Sequence, residues 1–152
     1  MADPNGARVI MTKRASHLKH HPGQIAFPGG KQEDGDATPE ATALREAFEE
    51  IGLAPNLVRP IGHLPAHETV TGFQMTPILA EVADFQPVPD PGEVEEVFTV
   101  PLSHLLNPGH YTVERRLWRG QWRAYYAVPW GPYYIWGATA RILRGLAERV
   151  SE

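Results

Sequence analysis

The strongest constraint on the fold is one fifteen-residue stretch, TPEATALREAFEEIG, because both of its ends carry signals for a helix. Thr38 is a typical N-cap, Pro39 suits the first helical position, and Glu40 adds a negative charge to the first turn. Gly52 suits the left-handed residue that follows a helix. These signals predict a helix that begins at Pro39 and ends near Ile51.

This predicted helix has two chemically different stripes. One stripe is apolar and is expected to pack in the core: Ala41, Leu44, Phe48 and Ile51. The opposite stripe is acidic: Glu46, Glu49 and Glu50. Like charges at this spacing repel by about 0.2–0.5 kcal/mol per pair. The acidic stripe is therefore either a solvated face or a site for Mg²⁺ or Mn²⁺, which bind carboxylate oxygens. The glycine pair Gly29-Gly30, upstream of the helix, favours the metal site, because glycines let the backbone approach a ligand closely.

Short strands and turns account for the rest of the chain. Fifteen prolines and 14 glycines indicate many tight turns. Strands are expected at 7–14, 24–27, 57–65, 73–82 and 94–102, a hairpin at 111–128, and a closing helix at 135–150. This pattern predicts a mixed β-sheet covered by helices on both faces, in a single domain that spans residues 1–152.

Composition excludes several classes of function. The net charge of −4 argues against nucleic-acid binding through bulk charge. The chain has no cysteine, which rules out disulfides, thiolate metal sites and a cysteine nucleophile, and which fits the reducing cytoplasm. No apolar run approaches the ~18 residues of a membrane span, and the first residues show no signal-peptide pattern.

Three further groups of side chains lie outside the helix. A basic cluster comprises Lys13, Arg14, His17, Lys19, His20 and His21, and it is either a solubilising loop or an anion site. Three acids follow a loop and form either a solvated strand end or a source of a general base: Glu93, Glu95 and Glu96. Alternating aromatic residues in the hairpin favour packing over base stacking: Trp118, Trp122, Tyr125 and Tyr126.

The acidic helix resembles the signature of the Nudix hydrolases, G-x5-E-x7-R-E-U-x-E-E-x-G-U, where U is aliphatic. The second half of that signature matches at Arg45, Glu46, Glu49, Glu50, Gly52 and Leu53, with Ala47 at the first aliphatic position. The first half begins at Gly30 and is one residue too long. Asp36 falls near the glutamate of the signature, and Ala37 is the expected insertion.

The upstream stretch TKRASHLKHHPGQIAFPGG is similar to the signature of the coenzyme A pyrophosphatase branch of that family. The matching positions are Thr12, Arg14, Leu18, His21, Gly23, Ile25, Phe27, Pro28, Gly29 and Gly30. Ala15 replaces the usual serine. Proteins similar to this branch have one more strand before the position of Val9. Only eight residues precede Val9 in this sequence.

The resemblance implies an α/β/α sandwich with a mixed β-sheet, and the short segment before Val9 leaves open whether the usual first strand is present. It also implies metal-dependent hydrolysis of a phosphoanhydride, with coenzyme A cleaved to 3′,5′-ADP and 4′-phosphopantetheine. The implied metal ligands are Gly30, through its carbonyl, Glu46, Glu49 and Glu50, and Arg45 joins the three glutamates in the catalytic set. The implied substrate-binding residues are Lys13, Arg14, Lys19, His21 and Phe27.

Two other interpretations remain open at this point. The same chemistry could act on ADP-ribose or a dinucleotide, or the chain could bind a nucleotide without hydrolysing it. Three intact glutamates argue against a pure binding module. The expected partner in each case is a small-molecule nucleotide rather than a nucleic acid or a membrane, and a homodimer is compatible with the sequence.

Overall fold

The computed structural model describes residues 6–69 and 72–151. Its strands are β1 (Arg8–Arg14), β2 (Ile25–Ala26), β3 (Val58–His63), β4 (His67–Glu68), β5 (Gln74–Met75), β6 (Ile78–Val82), β7 (Val94–Pro101), β8 (Thr112–Trp118) and β9 (Gln121–Ala127). Its helices are α1 (Pro39–Ile51), α2 (Leu102–Leu105) and α3 (Gly137–Ser151), with 3₁₀ turns at Pro55–Leu57 and Pro108–His110. No helix among these residues is long and apolar enough to cross a membrane.

The strands form four small sheets. The central sheet has the order β2-β1-β7, and the other pairs are β3-β6, β4-β5 and β8-β9. Every strand pair within residues 6–69 and 72–151 is antiparallel. The mixture of helices and strands agrees with the expected α/β class. The strand pairs of the described residues are antiparallel rather than mixed, because β2 and β7, the two neighbours of β1, both run opposite to it.

The central sheet separates two apolar clusters. In antiparallel pairs opposite residues share a face, so Met11 and Phe98 face one side of the sheet while Thr12 and Val97 face the other. Met11 packs in a core with residues of α3 such as Leu143. Val97 packs against a second cluster that contains residues of α1. The sheet therefore lies between α1 and α3, as an α/β/α sandwich requires. The expectation about an earlier strand falls largely on residues 1–5, which lie outside the described residues.

The ends of α1 follow the sequence signals. Thr38 accepts a hydrogen bond from the amide of Ala41 at 3.1 Å, and Gly52 has a φ of 71°. The buried face, however, follows the expected apolar stripe only in part: Ile51 is buried as expected, but Phe48 is 57% exposed, whereas Glu50 is 6% exposed. The expectation that Phe48 packs in the core was wrong. The helix is turned so that Glu50 faces the loop before α1, where a backbone amide satisfies its carboxylate, and this rotation carries Phe48 outward.

The predicted hairpin is also present. Arg119 and Gly120 form the turn between β8 and β9, with φ values of 49° and 76°. Two consecutive residues with positive φ are typical of the tight turns that match the twist of a hairpin. The hairpin is joined to the residues before α3 by a bridge between Ala127 and Trp136.

Candidate active site

The loop before α1 is held to the helix by one partly buried ion pair. Arg45 donates to Asp36 at 2.9 Å, and Asp36 also accepts from the Glu33 amide and the Thr42 hydroxyl. The Arg45 guanidinium beside it, with the Glu33 amide, holds the pKa of the Asp36 carboxyl well below its usual range. Asp36 thus closes this loop in the position where the signature has glutamate.

Arg45 connects that loop to the acidic stripe. Its guanidinium donates to Glu46 at 2.9 Å, to Glu49 at 3.3 Å, and to the carbonyl of Lys31 at 3.0 Å. Five donors in one planar group allow these simultaneous contacts. The sequence indicated a contact with Glu49, and the structure adds Asp36 and Glu46. Arg45 is therefore a positioning residue for the carboxylates, and its predicted catalytic role stays a prediction.

Three carboxylates converge beside this clamp. Glu46, Glu50 and Glu93 each place an oxygen within 4.8 Å of the others. Glu50 accepts a hydrogen bond from the Gly29 amide at 2.9 Å. Burial raises the pKa of Glu50 to about 7, and burial also raises the pKa of Glu46. Three acidic oxygens that share a partly buried site suit a hard divalent cation.

Gly30 closes one side of this carboxylate cluster. A Cβ at this position would lie 2.6 Å from Cδ and 2.7 Å from Oε1 of Glu46. Such distances are shorter than any ordinary contact, so a side chain at Gly30 would displace the carboxylate. The close approach fits the predicted place of Gly30 at a metal site.

The structure distinguishes among the acids that the sequence left open. Glu93 joins the cluster. Glu95 instead pairs with Lys13 at 3.1 Å, and Glu96 accepts from the Tyr133 hydroxyl. Glu49 lies toward Arg45 with a side chain 51% exposed, and it is not part of the cluster found among the described residues. Its predicted role as a metal ligand stays a prediction.

Most of the predicted substrate-binding residues have structural contacts of their own. Lys13 is paired with Glu95, and Phe27 packs against the core. Arg14 donates to the carbonyls of His20 and His21 at 3.0 and 3.2 Å, which holds the loop after β1. Lys19 is exposed. Residues that line the same open cleft, of about 2460 Å³, include Arg14, His21, Phe27, Gly30 and Glu50. Substrate binding by this set stays a prediction.

The aromatic residues of the hairpin have different environments. Tyr126 packs against the core, and Trp122 is 68% exposed. Trp118 contacts the guanidinium of Arg123, and Tyr125 lies with its ring 5.0 Å from that of Trp136. The arginines of this hairpin were not among the residues predicted from the sequence; the alternation of arginine and aromatic residues in β8 and β9 was the available signal.

The raised pKa of Glu50 predicts how the metal-free protein responds to pH. Its ordinary value is 4.5 and its folded value is about 7, so between these values the folded state holds a proton that the unfolded state releases. Raising the pH through this window therefore lowers the stability of the folded state. We expect the melting temperature in EDTA to fall from pH 5 to pH 8, and Glu50→Gln to flatten this fall. Thermal denaturation across this range checks it, and identical pH profiles for both proteins would contradict it.

Comparisons with known proteins agree with the geometry. A family profile described as NUDIX domain matches residues 1–120. A protein of Enterobacter sp. (strain 638), described as the uncharacterized Nudix hydrolase NudL, is 41% identical over 143 residues, which cover 93% of this chain and 74% of that protein. A protein of Escherichia coli (strain K12) with the same description is 39% identical over the same shares.

A solved structure gives the same result at the level of the fold. The crystal structure of a Nudix hydrolase from M. smegmatis, RenU, superposes with a TM-score of 0.51 and 26% sequence identity. The superposition covers 62% of this chain and 60% of that chain, which is less than two thirds of the length of RenU.

Proposed function

Because the chain belongs to the Nudix hydrolase family, we propose that it hydrolyses the diphosphate link of coenzyme A in the presence of Mg²⁺ or Mn²⁺. Hydrolysis of a pyrophosphate bond in a small nucleotide derivative is the activity of the family. The choice of coenzyme A and of these two ions is the part that we propose. The products would be 3′,5′-ADP and 4′-phosphopantetheine.

The observation that carries this proposal is the convergence of Glu46, Glu50 and Glu93, of which Glu50 also lines the open cleft. A diphosphate repels such a cluster unless a cation lies between them, so the site fits a metal-dependent reaction. A bound divalent cation would neutralise the phosphate oxygens and lower the pKa of water. Arg45 keeps Glu46 in place for this task, and the Gly29 amide does the same for Glu50.

Among the cluster, Glu93 is our candidate for the general base. It belongs to a loop rather than to α1, and it is more exposed than Glu50. In the proposed reaction a water oxygen attacks one phosphorus, its proton passes to the Glu93 carboxylate, and the bond from that phosphorus to the bridging oxygen breaks. The second phosphate leaves with the bridging oxygen.

The proposed substrate rests on the segment that leads into the site. Arg14, His21 and Phe27 match the branch signature and line the same cleft as Gly30. Arg14 ends β1, His21 lies in the loop that follows, and Phe27 comes after β2, just before the glycine pair Gly29-Gly30 at the carboxylate cluster. A substrate that extends from the cluster along this cleft would contact them.

A substrate panel tests the proposal. Coenzyme A, ADP-ribose and a dinucleoside polyphosphate are incubated with the protein and Mg²⁺, and the products are identified by mass spectrometry. We expect the highest kcat/KM with coenzyme A, and 4′-phosphopantetheine as a product. A higher kcat/KM with ADP-ribose or the dinucleoside polyphosphate would show that coenzyme A is not the preferred substrate. Binding of a nucleotide without turnover of any compound would show that the protein is a binding module.

A further inference from the structure

Two arginines face each other across the β8-β9 hairpin. Arg116 is directly opposite Arg123 in the strand register, and Tyr125 and Trp118 lie on the same face of the hairpin. Like charges directly opposite in an antiparallel pair destabilise it. Within residues 6–69 and 72–151, neither guanidinium has a carboxylate within ion-pair distance. The hairpin therefore holds two positive charges together without a protein anion between them.

Aromatic rings hold these two guanidiniums in position. Arg116 lies 5.0 Å from the centre of the Trp136 ring, and Arg123 lies 5.1 Å from the centre of the Trp118 ring. Each contact is attractive, and each reduces the freedom of a long side chain. Tyr125 supports Trp136 from the side at 5.0 Å. The rings therefore keep the two guanidiniums close together, so that less side-chain freedom is lost when a ligand binds to both.

The pair lines the same open cleft as Glu50, the member of the carboxylate cluster that borders it. Arg116, Arg123 and Trp136 line that cleft together with Gly30 and Glu50.

Contacts of α3 fix this wall against β2. Trp136 immediately precedes α3, and the Thr139 hydroxyl of α3 donates to the Ile25 carbonyl of β2 at 3.1 Å. From Ile25 the chain reaches Gly30 in five residues, which span at most about 18 Å. A nucleotide whose diphosphate is at the cluster can therefore extend toward the hairpin.

We propose that Arg116 and Arg123 bind a phosphate monoester on the nucleoside half of the substrate, and so select substrates that carry this group. The inference rests on the proposed function, and it names the feature of the substrate that this site recognises. Two guanidiniums match a phosphate monoester, which carries a charge of about −1.5 to −2 near neutral pH, better than a singly charged carboxylate. In coenzyme A this group is the 3′-phosphate.

The basic cluster near β1, which the sequence left open as an anion site, is the alternative candidate for this role. Its Lys13 is paired with Glu95, and the Arg14 guanidinium donates to two backbone carbonyls. Arg116 and Arg123 have no such partners among the described residues, so their hydrogen-bond donors are free to bind phosphate oxygens.

The test compares two substrates that differ only in the 3′-phosphate, coenzyme A and dephospho-coenzyme A. The double variant Arg116→Gln/Arg123→Gln should lower kcat/KM for coenzyme A by roughly 10- to 100-fold, as expected for the loss of charge-assisted hydrogen bonds. Its kcat/KM for dephospho-coenzyme A should stay within about twofold, because this substrate lacks the phosphate that the two arginines bind. Arg115→Gln is the matched control, because it removes the same charge from the opposite face of β8, and it should keep the wild-type preference.

Two results would overturn the inference: an unchanged preference in the double variant, or an equal fall with both substrates. Circular dichroism and a double variant with lysines, which retains the charge and should recover part of the preference, separate weaker phosphate binding from a damaged hairpin. If the wild type hydrolyses neither compound, the proposed function fails on its own. In that case the affinities for 3′,5′-ADP and AMP decide the matter: tighter binding of 3′,5′-ADP that the double variant loses supports the arginines, and equal affinities exclude them.

Discussion

Replacing Glu50 by glutamine is expected to abolish most turnover while the protein stays folded. The change keeps the size of the side chain and keeps an oxygen that accepts from the Gly29 amide. It removes the negative charge at the centre of the carboxylate cluster. Loss of one preorganised electrostatic group commonly lowers kcat by about 10²–10³, and we expect a loss at least on this order. The measurement is kcat with saturating substrate and Mg²⁺.

A second readout separates this catalytic effect from a structural one. The buried carboxyl resists ionisation, so glutamine should leave the melting temperature of the metal-free protein unchanged or higher at pH 8. The increase in melting temperature on addition of Mn²⁺ should shrink, because a ligand stabilises only the state that binds it. Glu40→Gln, which alters the first turn of the same helix, is the control and should retain activity. Wild-type kcat in Glu50→Gln, with an unchanged response to Mn²⁺, would refute the assignment.

The ends of α1 could be predicted from the sequence because they depend on local chemistry. The cap at Thr38 and the left-handed Gly52 involve only neighbouring residues. The buried face of α1 could not be predicted in the same way. A helical wheel assigns Phe48 to the core and Glu50 to the exterior, whereas the tertiary contact between Glu50 and Gly29 reverses both. Hydrophobic periodicity cannot show that a buried carboxylate has a partner 21 residues away.

The candidate site also combines residues that the local sequence identifies with residues that only tertiary contacts identify. Glu46 and Glu50 could be selected from one helix, since their spacing places them on one face. Glu93 was one of three acids with equal standing, and only the fold brings it rather than Glu95 or Glu96 to the cluster. Arg116 and Arg123 are far from the signature in sequence, and only the fold brings them to the cleft that Glu50 also lines. Contacts between distant segments therefore decide what sequence spacing leaves open.

A methyl group at Gly30 is expected to inactivate the enzyme with little effect on its stability. The Cβ of Gly30→Ala would lie 2.6 Å from Cδ of Glu46, so the carboxylate must move. Movement is cheap for the fold because the clash involves the far end of a flexible side chain rather than the backbone. It is costly for the reaction, since a misplacement of about 1 Å in a catalytic site can lower the rate by ~10². We expect kcat to fall by about this factor while the melting temperature of the metal-free protein changes little.

Gly35→Ala is the matched control for this prediction. Gly35 lies in the same loop before α1, and a Cβ there would meet no atom within 4 Å. Both changes remove the same backbone freedom from the unfolded chain, so they differ mainly in the contact with Glu46. A double change, Gly30→Ala with Glu46→Asp, shortens the acid and should relieve the clash, so it should recover part of the response of the melting temperature to Mn²⁺. If Gly30→Ala and Gly35→Ala both keep wild-type kcat, then the position of the Glu46 carboxylate does not limit the reaction, and the carboxylate cluster is not its centre.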